Sequence, residues 1–151
     1  MALRLSTGMR NKLLGGTAGT AGVKALLDGG FIDIYSGSQP ASADLVESGT
    51  KIVRISSSSG TSNTDGLRFG NASGGVLGAT TPVWSGKVTN AAVAGWFRFY
   101  GTAGTAGSSN TEVRMDGSVG VSGADLNLTH TNLAVDSTVT ITEGNITQPD
   151  E

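Results

Sequence analysis

From Phe31 onward, apolar and polar positions alternate in short runs. Phe31-Ile-Asp-Ile-Tyr35 is the first run, and Lys51-Ile-Val-Arg-Ile55 is the second. A third covers Thr81–Val88, with Pro82 suited to a strand start or an edge. Ala91–Tyr100 is the strongest. A period of two puts Val93, Gly95, Phe97 and Phe99 on one face and Ala94, Trp96, Arg98 and Tyr100 on the other. Two faces of large side chains predict a central strand covered on both sides. Glu112–Ser118 sets Val113 and Met115 against Arg114 and Asp116. Leu126 pairs with Leu128, and Leu133 with Val135. Val139 and Ile141 alternate with Thr138, Thr140 and Thr142.

Before Phe31 the spacing is helical. Ser6 or Thr7 can cap a short helix carrying Met9, Leu13 and Leu14, which Gly15-Gly16 would stop. Val23, Leu26 and Leu27 predict a second short helix within 20–28, ended by Gly29-Gly30. Strands of this length between Gly/Ser/Asn turns predict a mainly β fold: an antiparallel β-sandwich or barrel with one or two short N-terminal helices. Residues 1–30 form the arm and helices, and 31–151 the β part, of one structural domain. Val93, Phe97, Phe99, Val113, Val139 and Ile141 are the expected core.

Composition makes that core light, with 37% apolar residues, 5% aromatics and 24 glycines in 151 residues. Gly-Thr-Ala-Gly-Thr-Ala-Gly occurs at 16–22 and again at 101–107. Two triplets without Pro do not make collagen, and both copies read as flexible connectors. The Ser/Gly-rich stretch 56–66 reads as a loop too polar to bury. There is no Cys, so disulfides and thiolate ligands are excluded. The opening residues lack the apolar core of a signal peptide, and no stretch reaches the ~18 apolar residues of a membrane span.

The net charge of −2 hides an asymmetry. Residues 1–27 hold Arg4, Arg10, Lys12 and Lys24 and no acid. Residues 115–151 hold Asp116, Asp125, Asp136, Glu143, Asp150 and Glu151 and no Lys or Arg. Four basic residues without interleaved aromatics make a poor nucleic-acid site. The asymmetry suits either two solvated ends or contact between copies.

Catalytic chemistry finds little support. His130 is the only histidine, and it lies between Thr129 and Thr131 with no partner for a triad or metal site. Phosphate-loop and nucleophile-elbow motifs are missing, since Gly86-Lys87 is followed by Val88. Asn63-Thr-Asp65-Gly66 is a turn rather than a calcium loop. The expectation is a non-enzyme without metal or cofactor. Trp96, Arg98 and Tyr100 share one strand face. They suit an interface anchor, or ordinary packing against the N-terminal helix. Leu3, Arg4, Leu5, Met9, Leu13 and Leu14 suit an arm and helix that lie on a partner chain.

Four segments resemble one family. They are Met1-Ala-Leu-Arg-Leu-Ser-Thr-Gly-Met-Arg-Asn-Lys-Leu-Leu14, Asp33-Ile-Tyr-Ser-Gly-Ser-Gln-Pro-Ala-Ser-Ala-Asp44, Gly95-Trp-Phe-Arg-Phe-Tyr100 and Val113-Arg-Met-Asp-Gly117. Together they make the chain, over roughly residues 1–130, similar to small virion structural proteins of long-tailed bacteriophages and prophages. The resemblance implies a particle component assembled in the bacterial cytoplasm. Its partners would be the major capsid protein or other virion proteins, including further copies of itself, and neither nucleic acid nor membrane. A capsid decoration (cement) protein fits the size and the arm. A neck, tail or baseplate component is the alternative, and a carbohydrate-binding tip using Trp84 and Trp96 is a further one. The resemblance carries over no functional residue.

Overall fold

A computed structural model describes residues 3–15, 22–57, 65–80 and 83–148. The fold is mainly β, antiparallel with one exception, and has two short helices. The strands are β1 (Arg4–Leu5), β2 (Phe31–Ser36), β3 (Lys51–Ile55), β4 (Val76–Gly78), β5 (Trp84–Lys87), β6 (Ala92–Tyr100), β7 (Arg114–Gly120), β8 (Leu126–Asn127), β9 (Asn132–Leu133), β10 (Thr138–Ile141) and β11 (Asn145–Thr147). The helices are α1 (Thr7–Leu13) and α2 (Val23–Leu27).

The main sheet runs β1-β7-β6-β2-β3. Beyond β3, Ser56 and Ser85 exchange backbone hydrogen bonds, so the β5–β10 pair continues the sheet's edge. Close approach at that junction depends on Gly86, where a Cβ would stand 1.9 Å from the Arg54 carbonyl oxygen. At the other end β8 pairs in parallel with β7 through Val119 and Leu126. The pair β4–β11 stands apart, bridged by Ala79 N–H to Gly144 O. The sheet does not close into a barrel.

Sequence sets the helix boundaries. The Ser6 hydroxyl accepts from Met9 N–H at 3.1 Å and so caps α1. It also donates to Glu112 O at 2.7 Å and accepts from Arg114 N–H, which seats the helix on β7. Gly15 and Gly29 take the positive φ that ends each helix.

One face of the main sheet makes the core. Ile32 and Ile34, Val53 and Ile55, Phe97 and Phe99, and Met115 meet Trp84, Val139, Ile141, Leu27 and Met9 there. At its centre the Phe69 and Trp84 rings pack edge to face at 5.0 Å, with Phe99 5.9 Å from Phe69. Five of the six expected core residues are buried. Val93 is not, being 59% exposed. A register shift between the Tyr35–Trp96 and Ser36–Ala94 pairs leaves Gly95 as an extra residue in β6 and flips the alternation there, so Ala94 rather than Val93 joins the core side of Phe97 and Phe99, against the expected grouping of Ala94 with Trp96.

Three further expectations change. Residues 101–107 are no loose connector, because the Thr105 and Gly107 carbonyls accept from the Arg114 guanidinium. The first copy of that repeat lies outside the described residues except for Gly22. Ser56 and Ser57 are buried, and Ser57 N–H donates to Asp65 O at 2.8 Å, while 58–64 lie outside the described residues. Val135 does not pair with Leu133 on a face, since the chain turns there with Asp136 at φ 68°. Thr81 and Pro82 also lie outside the described residues.

Candidate functional site

The face opposite the core carries the segment that the sequence singled out. Cross-strand register aligns Arg4, Asp116, Arg98, Asp33 and Arg54 in one row across β1, β7, β6, β2 and β3. The charges alternate along the whole row. Arg98 forks onto Asp116 with Nε to Oδ1 at 2.7 Å and Nη2 to Oδ2 at 2.8 Å. Arg54 forks onto Asp33 with two bonds of 2.7 Å. Bidentate geometry of this kind is the strongest form of ion pair between side chains. Aromatic pairs flank the row. Phe31 stacks on Tyr100 at 4.8 Å and Tyr35 on Trp96 at 4.6 Å, and the Arg54 guanidinium lies 3.7 Å over the Phe31 ring.

Two loops cover this layer. From the 37–50 segment, Leu45 O and Glu47 Oε1 accept from Arg98 Nη1 at 2.9 and 2.7 Å. Ser48 O accepts from the Trp96 indole, and Glu47 Oε1 from the Tyr100 hydroxyl at 2.7 Å. From the 101–112 segment, Gly107 N–H donates to Glu47 Oε2, and Glu112 pairs with Arg114. Trp96 and Arg98 have no exposed surface, and Tyr100 is 1% exposed. They are therefore internal to this chain and unavailable as surface anchors. Their cover is the 37–50 loop, not the N-terminal helix, because that loop supplies the acceptors that Arg98 and Trp96 need. Trp84 is buried too, so neither tryptophan offers a sugar platform.

The layer sets the ionisation of its members. Burial pushes the Tyr35 hydroxyl well above its ordinary value, helped by the Asp33 carboxylate. Burial likewise raises Tyr100, whose hydroxyl is further held by Tyr35 and Glu47. These are the only tyrosines in the chain. Absorbance at 295 nm is therefore expected to show no phenolate step near pH ~10, the ordinary tyrosine range. Ionisation should instead coincide with unfolding at higher pH. Raised tyrosines contribute stability in full below that range and lose it above. A step near pH ~10 in the folded chain, comparable to free tyrosine, would contradict the burial.

Burial pushes the Glu47 carboxyl up, but the Tyr100 hydroxyl, Gly107 N–H and Arg98 outweigh it and hold the group below 4.5. Glu112 is held down in the same way by Thr105 and Arg114, against the effect of burial. A depressed carboxyl contributes stability in full above its unfolded pKa and loses it as pH falls through the folded one. Acid titration followed by circular dichroism should show stability falling below pH 4.5, with a smaller fall in Glu47→Gln. An unchanged acid profile in that variant would count against the role of Glu47.

The N-terminal residues are also engaged within the chain. Arg4 and Leu5 pair with Asp116 and Met115 of the same sheet, and the Arg4 guanidinium donates to Pro40 O. Thr7 donates through N–H and hydroxyl to Asp44 at 2.8 and 2.6 Å. Met9 is 1% exposed and Leu13 packs on the core. The arm thus lies on its own β7 edge, whose free N–H and C=O groups it satisfies. Of the expected interface set, Leu3 and Leu14 remain exposed, at 47% and 87%.

A different surface is open. Between β10 and the stretch from β8 to β9 runs a cleft of about 460 Å³. Ser137–Glu143 form one wall, and Asp125–His130 with Leu133 form the other. A second cavity of about 230 Å³ shares Asp125, Leu126, Ile141 and Glu143 with it. That cavity is walled by Phe69, Trp84, Phe97 and Phe99, and Leu3 lies at its lining. The Trp84 indole N–H is buried without a partner among the described residues. Sequence reasoning missed this region because its cause is topological: β10 pairs with β5 alone, so the sheet stays open there. The alternating threonines of 138–142 were the only local signal. Among the described residues no three His, Asp or Glu side chains converge on a metal position.

No known protein family, curated protein or solved structure matches this chain.

Proposed function

We propose that this chain is a structural subunit of a tailed-bacteriophage particle and acts as a decoration protein on the assembled head. The resemblance of its N-terminal, Asp33–Asp44, Gly95–Tyr100 and Val113–Gly117 segments motivates the class. One observation carries the reading: the polar and aromatic side chains that could recognise a substrate are instead spent inside, on the ladder from Arg4 to Arg54. Such a layer fixes two long loops to a sheet and favours a rigid body that works by contact. Outward features available for contact include Leu14, Leu45 and Val46, all exposed, and the cleft beside β10.

Particle incorporation tests this. Leu14→Ser and Val46→Ser alter exposed side chains, so the folded chain should persist while a surface contact weakens. Reduced occupancy on purified heads, or early release on heating, is the expected result. Full occupancy of variants at every exposed apolar position and at the β10 cleft would overturn the decoration role. Recovery with tails rather than heads would move the subunit to the neck or tail.

A further inference from the structure

We infer that the outer edge of β10 is a strand-acceptor site, which takes an extended segment of another virion protein carrying Lys or Arg beside alternating apolar residues. The inference deepens the reading as a particle subunit and rests on it for the source of the donor segment.

Among the described residues, hydrogen-bond alternation leaves the edge free. In an antiparallel pair, successive residues point their main-chain groups to opposite sides. Ser85 exchanges both bonds with Ser56, so its neighbours Trp84 and Gly86 face β10. They meet Ile141 and Val139 there, and Val88 N–H donates to Ser137 O. Thr138 and Thr140 consequently turn their N–H and C=O away from β5, into the cleft. Exposed edges are normally blunted by lysine, proline or a bulge. The segment Thr-Val-Thr-Ile has neither residue, and its register with β5 is unbroken.

Shape fits an added strand. Four residues of β10 span about 14 Å at the usual strand rise, and the cleft follows all of them. Added strands gain affinity from main-chain bonds and selectivity from pockets for alternate side chains. The aromatic cavity of about 230 Å³ opens from the same place and suits one apolar anchor.

Charge decides the occupant. Asp125 and Glu143 line the cleft, and no Lys or Arg does. Asp125 is partly engaged by Ser118, whereas no hydrogen bond or ion pair engages Glu143 among the described residues. A second copy's β10 would bring the same two acids and repel. This chain's own basic arm is already paired to β7 and anchored by Ser6. A basic segment of a different protein satisfies both the backbone and the carboxylates.

A random peptide library panned against the immobilised full chain tests the idea. Enriched peptides should alternate apolar residues and carry Lys or Arg. Binding should slow amide exchange at Thr138 and Thr140 and fall about tenfold or more in Glu143→Lys. It should fall similarly when the peptide's own alternate amides are N-methylated, a control that leaves the protein untouched. Failure to enrich above a bare surface, selection of acidic peptides, or indifference to N-methylation would overturn the acceptor site. The chain's presence in particles is measured separately, so loss of peptide capture with normal particle content would sink this inference alone.

Discussion

Asp116→Ala should cost about 3–5 kcal/mol, the usual price of stranding one member of a buried ion pair. Domains of this size are stable by only about 5–15 kcal/mol. Asp116 and Arg98 are both wholly buried, and the substitution leaves Arg98 Nε and Nη2 without their acceptors. Burial works against both charges, yet the carboxylate still holds the Arg98 guanidinium protonated. Arg98→Met with Asp116→Leu should recover only part of the loss. Replacing an isolated buried pair with apolar groups is often neutral, but here Leu45 O and Glu47 Oε1 would lose the bonds from Arg98, leaving Glu47 only its Tyr100 and Gly107 donors. Denaturant midpoints of the two single variants and the double variant check this. A single-variant loss under about 1 kcal/mol would mean that the row is ordinary surface electrostatics.

Phe99→Ala should also cost about 3–5 kcal/mol, the range for a large aromatic lost from a core. Phe99 touches Phe69 and Trp84 and borders the aromatic cavity, so the new void joins an existing one and collapse offers little relief. Val93→Ala, on the same strand but turned outward beyond the bulge at Gly95, should stay within about 0.5 kcal/mol. Thermal or urea unfolding of the pair measures the difference. Equal losses would show that Val93 is buried, contrary to its outward placement beyond the bulge.

That contrast also marks how far the sequence could be read. Period-two alternation located β2, β3 and β6 almost to the residue, and the Ser6 cap located α1, because local pattern and burial agree there. Parity places Val93 inward, but the extra residue at Gly95 flips the alternation, and a bulge of this kind leaves no mark in the apolar pattern. Trp96, Arg98 and Tyr100 were correctly grouped on one face. Their cover was not legible, because residues 37–50 contribute carbonyls and one carboxylate rather than an apolar pattern. The same holds for residues 101–107, whose small side chains suggested slack while their carbonyls grip Arg114. The strands β4 and β11 carry no alternation long enough to notice. The open edge of β10 is a property of strand order, which no local pattern encodes.

Quantitative mass spectrometry of particles purified from the strain that encodes this chain tests the central claim most directly. As a decoration protein it should be present at a copy number comparable with that of the major capsid protein, and should stay with heads separated from tails. Its absence from purified particles, with the chain still abundant in the infected cell, would contradict the account.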